Sequence, residues 1–200
     1  MRPERGLTSG TSLSTTCSKL TRVACLTLLM LPGATHQGAS SQVLMTTEAA
    51  LELFFPGLTV ERRTLFLDEH QQATVQSRAK AVVESRIITY YVARRQEDIE
   101  GYAFLETNTV RTMPETFLVV VRPDSTVAGV EILAFHEPTD YLPGARWLSS
   151  FIGQQLSDRL WVKREIPNIT GATLSSQAIT RGVRKAMALF ELVAEKEKRK

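Results

Sequence analysis

The segment from Ile169 to Ser176 combines residue types that could bind an anion. Thr170, Thr173, Ser175 and Ser176 supply hydroxyl groups, and Gly171 allows a tight turn between them. Apolar residues then recur at spacings of three and four, which predicts a helix from about Ser175 to Glu195. The first N–H groups of a helix lack intrahelical acceptors and lie at the positive end of its dipole, so a helix start favours a phosphate. The residues alone therefore predict an anion or phosphate site, although a glycine turn capped by Ser175 would produce the same pattern.

The order of these residues resembles the Ser/Thr-Gly-Ala-Thr flavinylation motif of FMN-binding domains. Such domains occur in the FMN-carrying subunits of Rnf-type and sodium-translocating NADH:quinone oxidoreductase complexes. The resemblance implies FMN in phosphoester linkage on Thr173, attached by a separate flavin transferase that uses FAD as the donor. It departs at Pro167, where the family has an acidic residue. The residues that the resemblance places around the cofactor are Thr170, Gly171, Ala172, Thr173, Leu174, Ser175 and Ser176.

A second segment, Gly129 to Thr139, resembles the strand and Glu-Thr-Pro-Gly loop that lie against the flavin in this family. Glu137 matches the loop, whereas Pro138-Thr139 inverts the usual order. The resemblance implies cofactor contacts from Glu137 and Thr139, and Tyr141 is the best placed aromatic residue to stack on the ring. For Glu137, a solvated loop carboxylate is the alternative.

Thr173 has no neighbour in sequence that could activate it. An alcohol is a poor nucleophile without a base, and neither histidine nor lysine flanks this position. Self-modification is therefore not expected, in agreement with the external transferase that the resemblance implies. No catalytic residue and no metal ligand set is predicted, since single histidines such as His136 do not form a metal site.

The first 40 residues have the features of a secretory signal or a short membrane anchor. Lys19 and Arg22 precede the apolar run 23–31, and small residues follow Pro32-Gly33. The run is short for a membrane span, which needs roughly 20 apolar residues. We therefore predict an exported protein, periplasmic or attached to the outer face of the inner membrane. We predict that residues 1–40 are a signal peptide or short membrane anchor with a linker, and the resemblance implies that residues 41–200 are the FMN-binding domain.

The composition of residues 41–200 disfavours several kinds of site and partner. Both cysteines, Cys17 and Cys25, lie in the leader, so disulfides, thiolate metal sites and iron–sulfur clusters are not expected in the domain. The leader holds four basic residues and one acidic residue, which leaves 20 of each sign and no net charge beyond it. A neutral domain gives a nucleic-acid partner no electrostatic support.

The order of elements predicts an α+β fold, a single domain in which one antiparallel sheet is packed by helices on one side and at both ends. Helices are predicted over about 46–55, 68–82, 144–157 and 175–195. Strands rich in β-branched and aromatic residues are predicted over 60–67, 87–92, 101–105, 116–121 and 127–135.

These observations favour an FMN-binding electron carrier over an enzyme with its own small-molecule substrate. The expected partners are the flavin transferase and a membrane or periplasmic redox protein. Two alternatives remain open at this point: a reductase that binds FMN non-covalently, and a periplasmic ligand-binding or interaction module without flavin.

Overall fold

A computed structural model describes residues 42–110 and 112–197. The predicted leader, residues 1–40, lies outside the described residues. An antiparallel sheet of six strands, in the order β1-β6-β5-β4-β3-β2, forms the centre of the fold and confirms the α+β prediction. The strands are β1 (Gln42–Val43), β2 (Thr59–Phe66), β3 (Ile87–Arg95), β4 (Asp98–Val110), β5 (Met113–Val121) and β6 (Val127–Phe135).

Within the described residues, four α-helices accompany the sheet: α1 (Thr47–Phe54), α2 (Glu69–Ala79), α3 (Ala145–Leu148) and α4 (Thr173–Glu197). The predicted positions of the first two helix starts are confirmed within one residue. Thr46 caps α1 by accepting from the Ala49 N–H, and Asp68 with Gln71 forms a capping box at the start of α2. Helix α2 ends where Lys80 adopts a left-handed conformation, φ 53°.

The two faces of the sheet are covered differently. Alternate residues of the central strands, such as Phe104 and Phe117, point to the face packed by α2 and α4, which carries the larger apolar cluster. Their neighbours, such as Ala103 and Leu118, point to the opposite face, where α1 covers a smaller cluster. The prediction that the helices pack on one side and at the ends was therefore wrong, because α1 returns across the second face of β5 and β6. Val119, Val120 and Val121 are all buried, as expected for a strand covered on both faces.

The helix predicted over 144–157 is largely absent. Helix α3 ends after one turn and passes into a 3₁₀ segment, Ser149–Phe151. The hydroxyls of Ser149 and Ser150 donate back to the carbonyls of Arg146 and Trp147, in competition with the helical pattern. Gly153, with φ 79°, then turns the chain away. The apolar spacing in this stretch arises from burial of Leu148 and Phe151 rather than from a continuous helix.

Helix α4 is held closely against β4 and β5. The Asn108 side chain on β4 donates a 2.9 Å hydrogen bond to the Ala178 carbonyl on α4. One turn further, Gly182 approaches the fully buried Phe117 so closely that a Cβ atom there would lie 2.4 Å from the ring. The close contact fixes where the first turn of α4 lies relative to the end of β4 and the start of β5.

Candidate functional site

The threonine motif forms the start of α4, two residues earlier than predicted. Gly171 has a left-handed backbone, φ 88°, which a residue with a Cβ adopts only with strain. The Ala172 N–H donates to the Ile169 carbonyl at 3.2 Å and closes the turn that leads into the helix. Thr173 is the first helical residue, so Ser175 lies within the first turn instead of capping it.

The Thr173 side chain is half-buried and only weakly held. Its hydroxyl lies 3.4 Å from the Ile169 carbonyl, which is long for a hydrogen bond donated by a hydroxyl group. By contrast, the fully buried Ser176 hydroxyl lies 3.0 Å from the carbonyls of both Ala172 and Thr173. The Thr173 oxygen is therefore the more available of these two for reaction.

The first turn of α4 also presents unpaired backbone donors. Among the described residues, no acceptor contacts the N–H groups of Thr173, Leu174 and Ser175. Leu174 is 48% exposed beside them. Partial positive charge at a helix start, next to an accessible hydroxyl, favours a phosphate on or near Thr173.

A small cleft joins the motif to the loop after β6. Its volume is about 10 Å³, roughly the space that one water molecule needs. A flavin ring therefore cannot enter the cleft in this conformation and would lie at its mouth unless the loop moves. The lining residues are Val110, Glu137, Tyr141, Gly171, Ala172, Leu174 and Ser175.

The structure thus brings several of the predicted site residues together and leaves others apart. Glu137 and Tyr141 meet the motif across the cleft, although they are distant from it in sequence. Thr139 begins an exposed 3₁₀ segment, and Thr170 is also exposed; neither lines the cleft. The Ser176 side chain faces the interior.

The segment before the motif is held in place by a hydrogen bond to one of its backbone carbonyls. The Trp147 indole N–H donates to the Pro167 carbonyl at 2.7 Å, at the position where the resembling family has its acidic residue. Trp147 also packs edge-on against Phe151, with ring centroids 5.2 Å apart. Trp147 is engaged in these contacts, whereas Tyr141 is the aromatic residue that lines the cleft.

Sequence analysis missed the most unusual residue of this region, Glu115 on β5. Its side chain is fully buried, and neither carboxylate oxygen has a hydrogen-bond partner among the described residues. Burial raises the pKa of Glu115 to about 8; the positive charge of Arg181 opposes this effect and the negative charge of Glu137 adds to it. Glu115 and Phe117 are two residues apart on β5, so their side chains point to the same face of the sheet. This spacing could have revealed that Glu115 is buried, but the predicted strand began at residue 116.

A second buried carboxylate, Glu106 on β4, is paired. The Lys185 ammonium lies 2.5 Å from it, yet burial raises the pKa of Glu106 to about 7 against the attraction of that lysine. Lys185 and Arg181 line a cavity of about 450 Å³ between α4, β4 and the chain after α2. Charged side chains therefore lie at the cleft and also further along the same side of α4.

Part of the chain matches a known protein family. Residues 113–188 match the family model described as the FMN-binding domain, and this range contains both the motif and the loop after β6. The match confirms the resemblance seen in the sequence and indicates FMN as the cofactor. The fold is similar to the crystal structure of Shewanella oneidensis NqrC, with a TM-score of 0.53 and 14% identity over 82% of this chain and 94% of that chain. No curated protein sequence gives a significant match.

Two further properties concern only the described part of the chain. Within residues 42–110 and 112–197, none of the helices combines the length and the apolar character needed to cross a bilayer. The same residues contain no group of three or more histidine, cysteine, aspartate or glutamate side chains arranged to hold a metal ion.

Proposed function

We propose that this protein is an exported electron carrier that holds FMN through a phosphoester on Thr173, formed by a separate flavin transferase. One observation carries the proposal: the region that matches the FMN-binding domain presents the half-buried Thr173 hydroxyl beside unpaired N–H groups at the start of α4. A phosphate on this oxygen would lie where the helix start favours negative charge.

The proposed attachment is a phosphoryl transfer. The Thr173 oxygen attacks the flavin-bearing phosphorus of FAD, the diphosphate bond breaks, AMP leaves, and the hydroxyl proton passes to a base. The only hydrogen-bond acceptor of the Thr173 hydroxyl among the described residues is the Ile169 carbonyl, which is not a base. The base would therefore come from the transferase, consistent with an external enzyme.

The structure favours a particular position for the flavin ring. Since the cleft holds about 10 Å³, a ring system tethered to Thr173 would cover the exposed Leu174 side chain and reach toward Tyr141 at the mouth. FMN would supply the one- or two-electron chemistry, and the protein would position the cofactor and tune its potential. A ring at the surface would let electrons pass to a membrane or periplasmic partner without a substrate pocket.

The test is co-expression with a flavin transferase, with export, followed by intact-mass measurement. Covalent attachment adds roughly 440 Da, the mass of FMN less one water. Thr173→Ala should abolish the added mass while leaving the far-ultraviolet circular dichroism unchanged. Thr170→Ala and Ser175→Ala are matched controls and should retain the mass.

Different outcomes favour the two alternatives. A yellow protein that loses its colour on denaturation supports a non-covalent flavoprotein, such as a reductase with its own acceptor. A colourless protein without added mass supports an interaction module without flavin. Added mass that persists in Thr173→Ala moves the attachment to another hydroxyl of the motif.

A further inference from the structure

Two buried carboxyl groups lie behind the cleft. Glu115 is opposite Phe135 in the β5–β6 register, and Glu137 lies two residues beyond Phe135 in the same chain. Phe135 and Phe117 both belong to the cluster under α4, so Glu115, which alternates with Phe117, points to that side. Pairing of β5 with β6 therefore brings the two acids to one end of the space between sheet and helix.

Within the described part of the chain, three of the four oxygens of these two acids lack the hydrogen-bond partners that buried carboxylates usually have. Both oxygens of Glu115 and the Oε1 atom of Glu137 have no hydrogen-bond partner among the described residues. Their side chains are nearly inaccessible, with residue exposures of 0% and 6%. A buried carboxylate without a partner is strongly disfavoured in its charged form, whereas a protonated carboxyl is much less costly to bury.

The charged groups around Glu115 and Glu137 favour the binding of one proton at the pair. From α4, Arg181 faces Glu115, and further along the same side the Glu106–Lys185 pair is already neutral overall. Across β4, the residue opposite Glu115 is the uncharged Asn108. Beyond β6, His136 and Tyr141 flank Glu137, and both make further interactions of their own. Among the described residues, Arg181 is thus the one cation that acts on Glu115, and Glu137 adds a negative charge beside it.

We propose that Glu115 and Glu137 form a proton-binding site coupled to the charge in the cleft. When negative charge enters the cleft, the proton affinity of the pair rises, so the pair takes up protons from solvent near the pH at which it titrates and releases them when the charge leaves. Only an O–H bond forms or breaks at the pair, and neither acid is oxidised or reduced. The coupling is possible because Glu137 lines the cleft together with Leu174.

The inference deepens the proposed function, because reduction of FMN at Thr173 would bring such charge to the mouth of the cleft. Like charges close to a carboxylate raise its proton affinity, and the effect is large where little water screens it. Reduction of the carrier would then raise the proton affinity of the pair, and oxidation would lower it again. The site itself, however, exists in the protein without FMN and can be tested there.

The test uses the full chain without flavin, labelled with carbon-13 at the glutamate carboxyl groups and titrated by nuclear magnetic resonance. One carboxyl signal should titrate far above the ordinary glutamate range and disappear in Glu115→Gln. In Glu137→Gln the same signal should remain but titrate at lower pH, since the neighbouring negative charge has gone. If Glu115→Gln fails to fold, the Glu137→Gln shift identifies the signal instead.

Charge at the cleft mouth is then introduced without flavin. Leu174→Glu should move the Glu115 titration upward by about half a pH unit relative to Leu174→Gln, as expected for a charge several ångströms away. Leu53→Glu against Leu53→Gln is the matched control, because Leu53 is exposed on α1 beyond the other face of the sheet. A Glu115 signal in the ordinary range, or equal shifts in the two pairs, overturns the proposal. Neither result depends on whether Thr173 carries FMN.

Discussion

The two faces of the sheet differ in the kinds of side chain that are buried on them. The face under α1 is closed mainly with small and aliphatic side chains, among them Ala93, Ala103 and Val120, together with the buried ring of Phe55. Leu53 on α1 is 57% exposed at its edge. The face under α4 contains large aromatic residues and also the buried charged groups. Those buried charged residues are Glu106, Glu115, Arg184 and Glu197, with Glu137 at the cleft.

The difference shows which face can support chemistry. An apolar layer tolerates small displacements, since its contacts have no required direction. A face with buried charges needs each donor and acceptor in place, so it positions the elements around it more sharply. The first turn of α4, with Thr173, belongs to the second kind of face. We therefore expect substitutions of similar size to cost more under α4 than under α1.

The largest effect is expected from Arg184→Met. The buried Arg184 guanidinium donates to the carbonyls of Ala79 at 2.8 Å and Ser157 at 2.5 Å, and lies 4.5 Å from the Trp161 ring centroid. Loss of this group leaves several buried carbonyls unsatisfied and should lower the free energy of unfolding by about 3 kcal/mol or more. Denaturant unfolding measures the change. Arg78→Met is the control: Arg78 pairs with Glu191 on the surface, and its loss should cost below about 1 kcal/mol.

A direct comparison of the two faces comes from adding one methyl group to each. In Gly182→Ala the new Cβ would lie 2.4 Å from the fully buried Phe117 ring, which has nowhere to move. We expect a loss of about 2 kcal/mol, despite the better helix propensity of alanine. In Gly129→Ala the Cβ would lie 2.3 Å from the half-exposed Phe54 ring, which can rotate outward.

Thermal unfolding of Gly182→Ala and Gly129→Ala measures which substitution destabilises the protein more. The Gly129→Ala variant should stay within about 1 kcal/mol of the wild type. Equal destabilisation by both substitutions would contradict the claim that the α4 face is the more tightly specified one.

The pH dependence of stability should differ between wild type and Glu115→Gln. The folded-state pKa of Glu115, about 8, lies above its ordinary value of 4.5. Between these values the folded protein keeps a proton that the unfolded chain has released, so the stability of the wild type falls as pH rises. The contribution reaches about 1 kcal/mol per pH unit and ends near the folded-state value.

Unfolding of both proteins at a series of pH values measures the slope. The glutamine variant lacks this contribution, so it should gain stability relative to the wild type as the pH increases. Glu131→Gln, on the neighbouring strand β6, is a half-buried comparison and should leave most of the slope in place. Parallel curves for wild type and Glu115→Gln would mean that Glu115 titrates normally.

The smallest effect is expected on the α1 face, from Leu53→Ser. Because most of the Leu53 side chain is already in water, the substitution should change the free energy of unfolding by less than about 0.5 kcal/mol. A loss comparable with that of Gly182→Ala would show that something covers this face in solution. Comparison of unfolding curves at two protein concentrations distinguishes that case from a purely internal effect.

Local signals in the chain were sufficient for much of the fold. The capping residues Thr46 and Asp68, the β-branched and aromatic residues of β5 and β6, and the apolar stripe of α4 are each local features of the sequence. The prediction over 144–157 was wrong because a 3.6-residue apolar spacing also arises when a 3₁₀ turn and a loop bury Leu148 and Phe151. Strand β1, with two residues, carries no recognisable pattern.

The sequence likewise predicted some parts of the candidate site and not others. The motif at Thr173 and the cofactor that it implies follow from residue order, since a helix start and its hydroxyls are consecutive in sequence. The approach of Glu137 and Tyr141 to that motif was expected only through family resemblance. Glu115 was not expected at all, because its burial depends on α4 lying across β5.

What the sequence alone determined is therefore the hydroxyl-rich motif before the last helix, the helix and strand composition, and the neutral, cysteine-free character of residues 41–200. The tertiary structure decided that the cleft beside Thr173 is too small for a flavin ring, and that two acids lie behind it. The physical reason is that hydrogen-bond caps and periodicities are set by residues a few positions apart. The proton affinity of a carboxyl group is set instead by whatever distant segments exclude water from it.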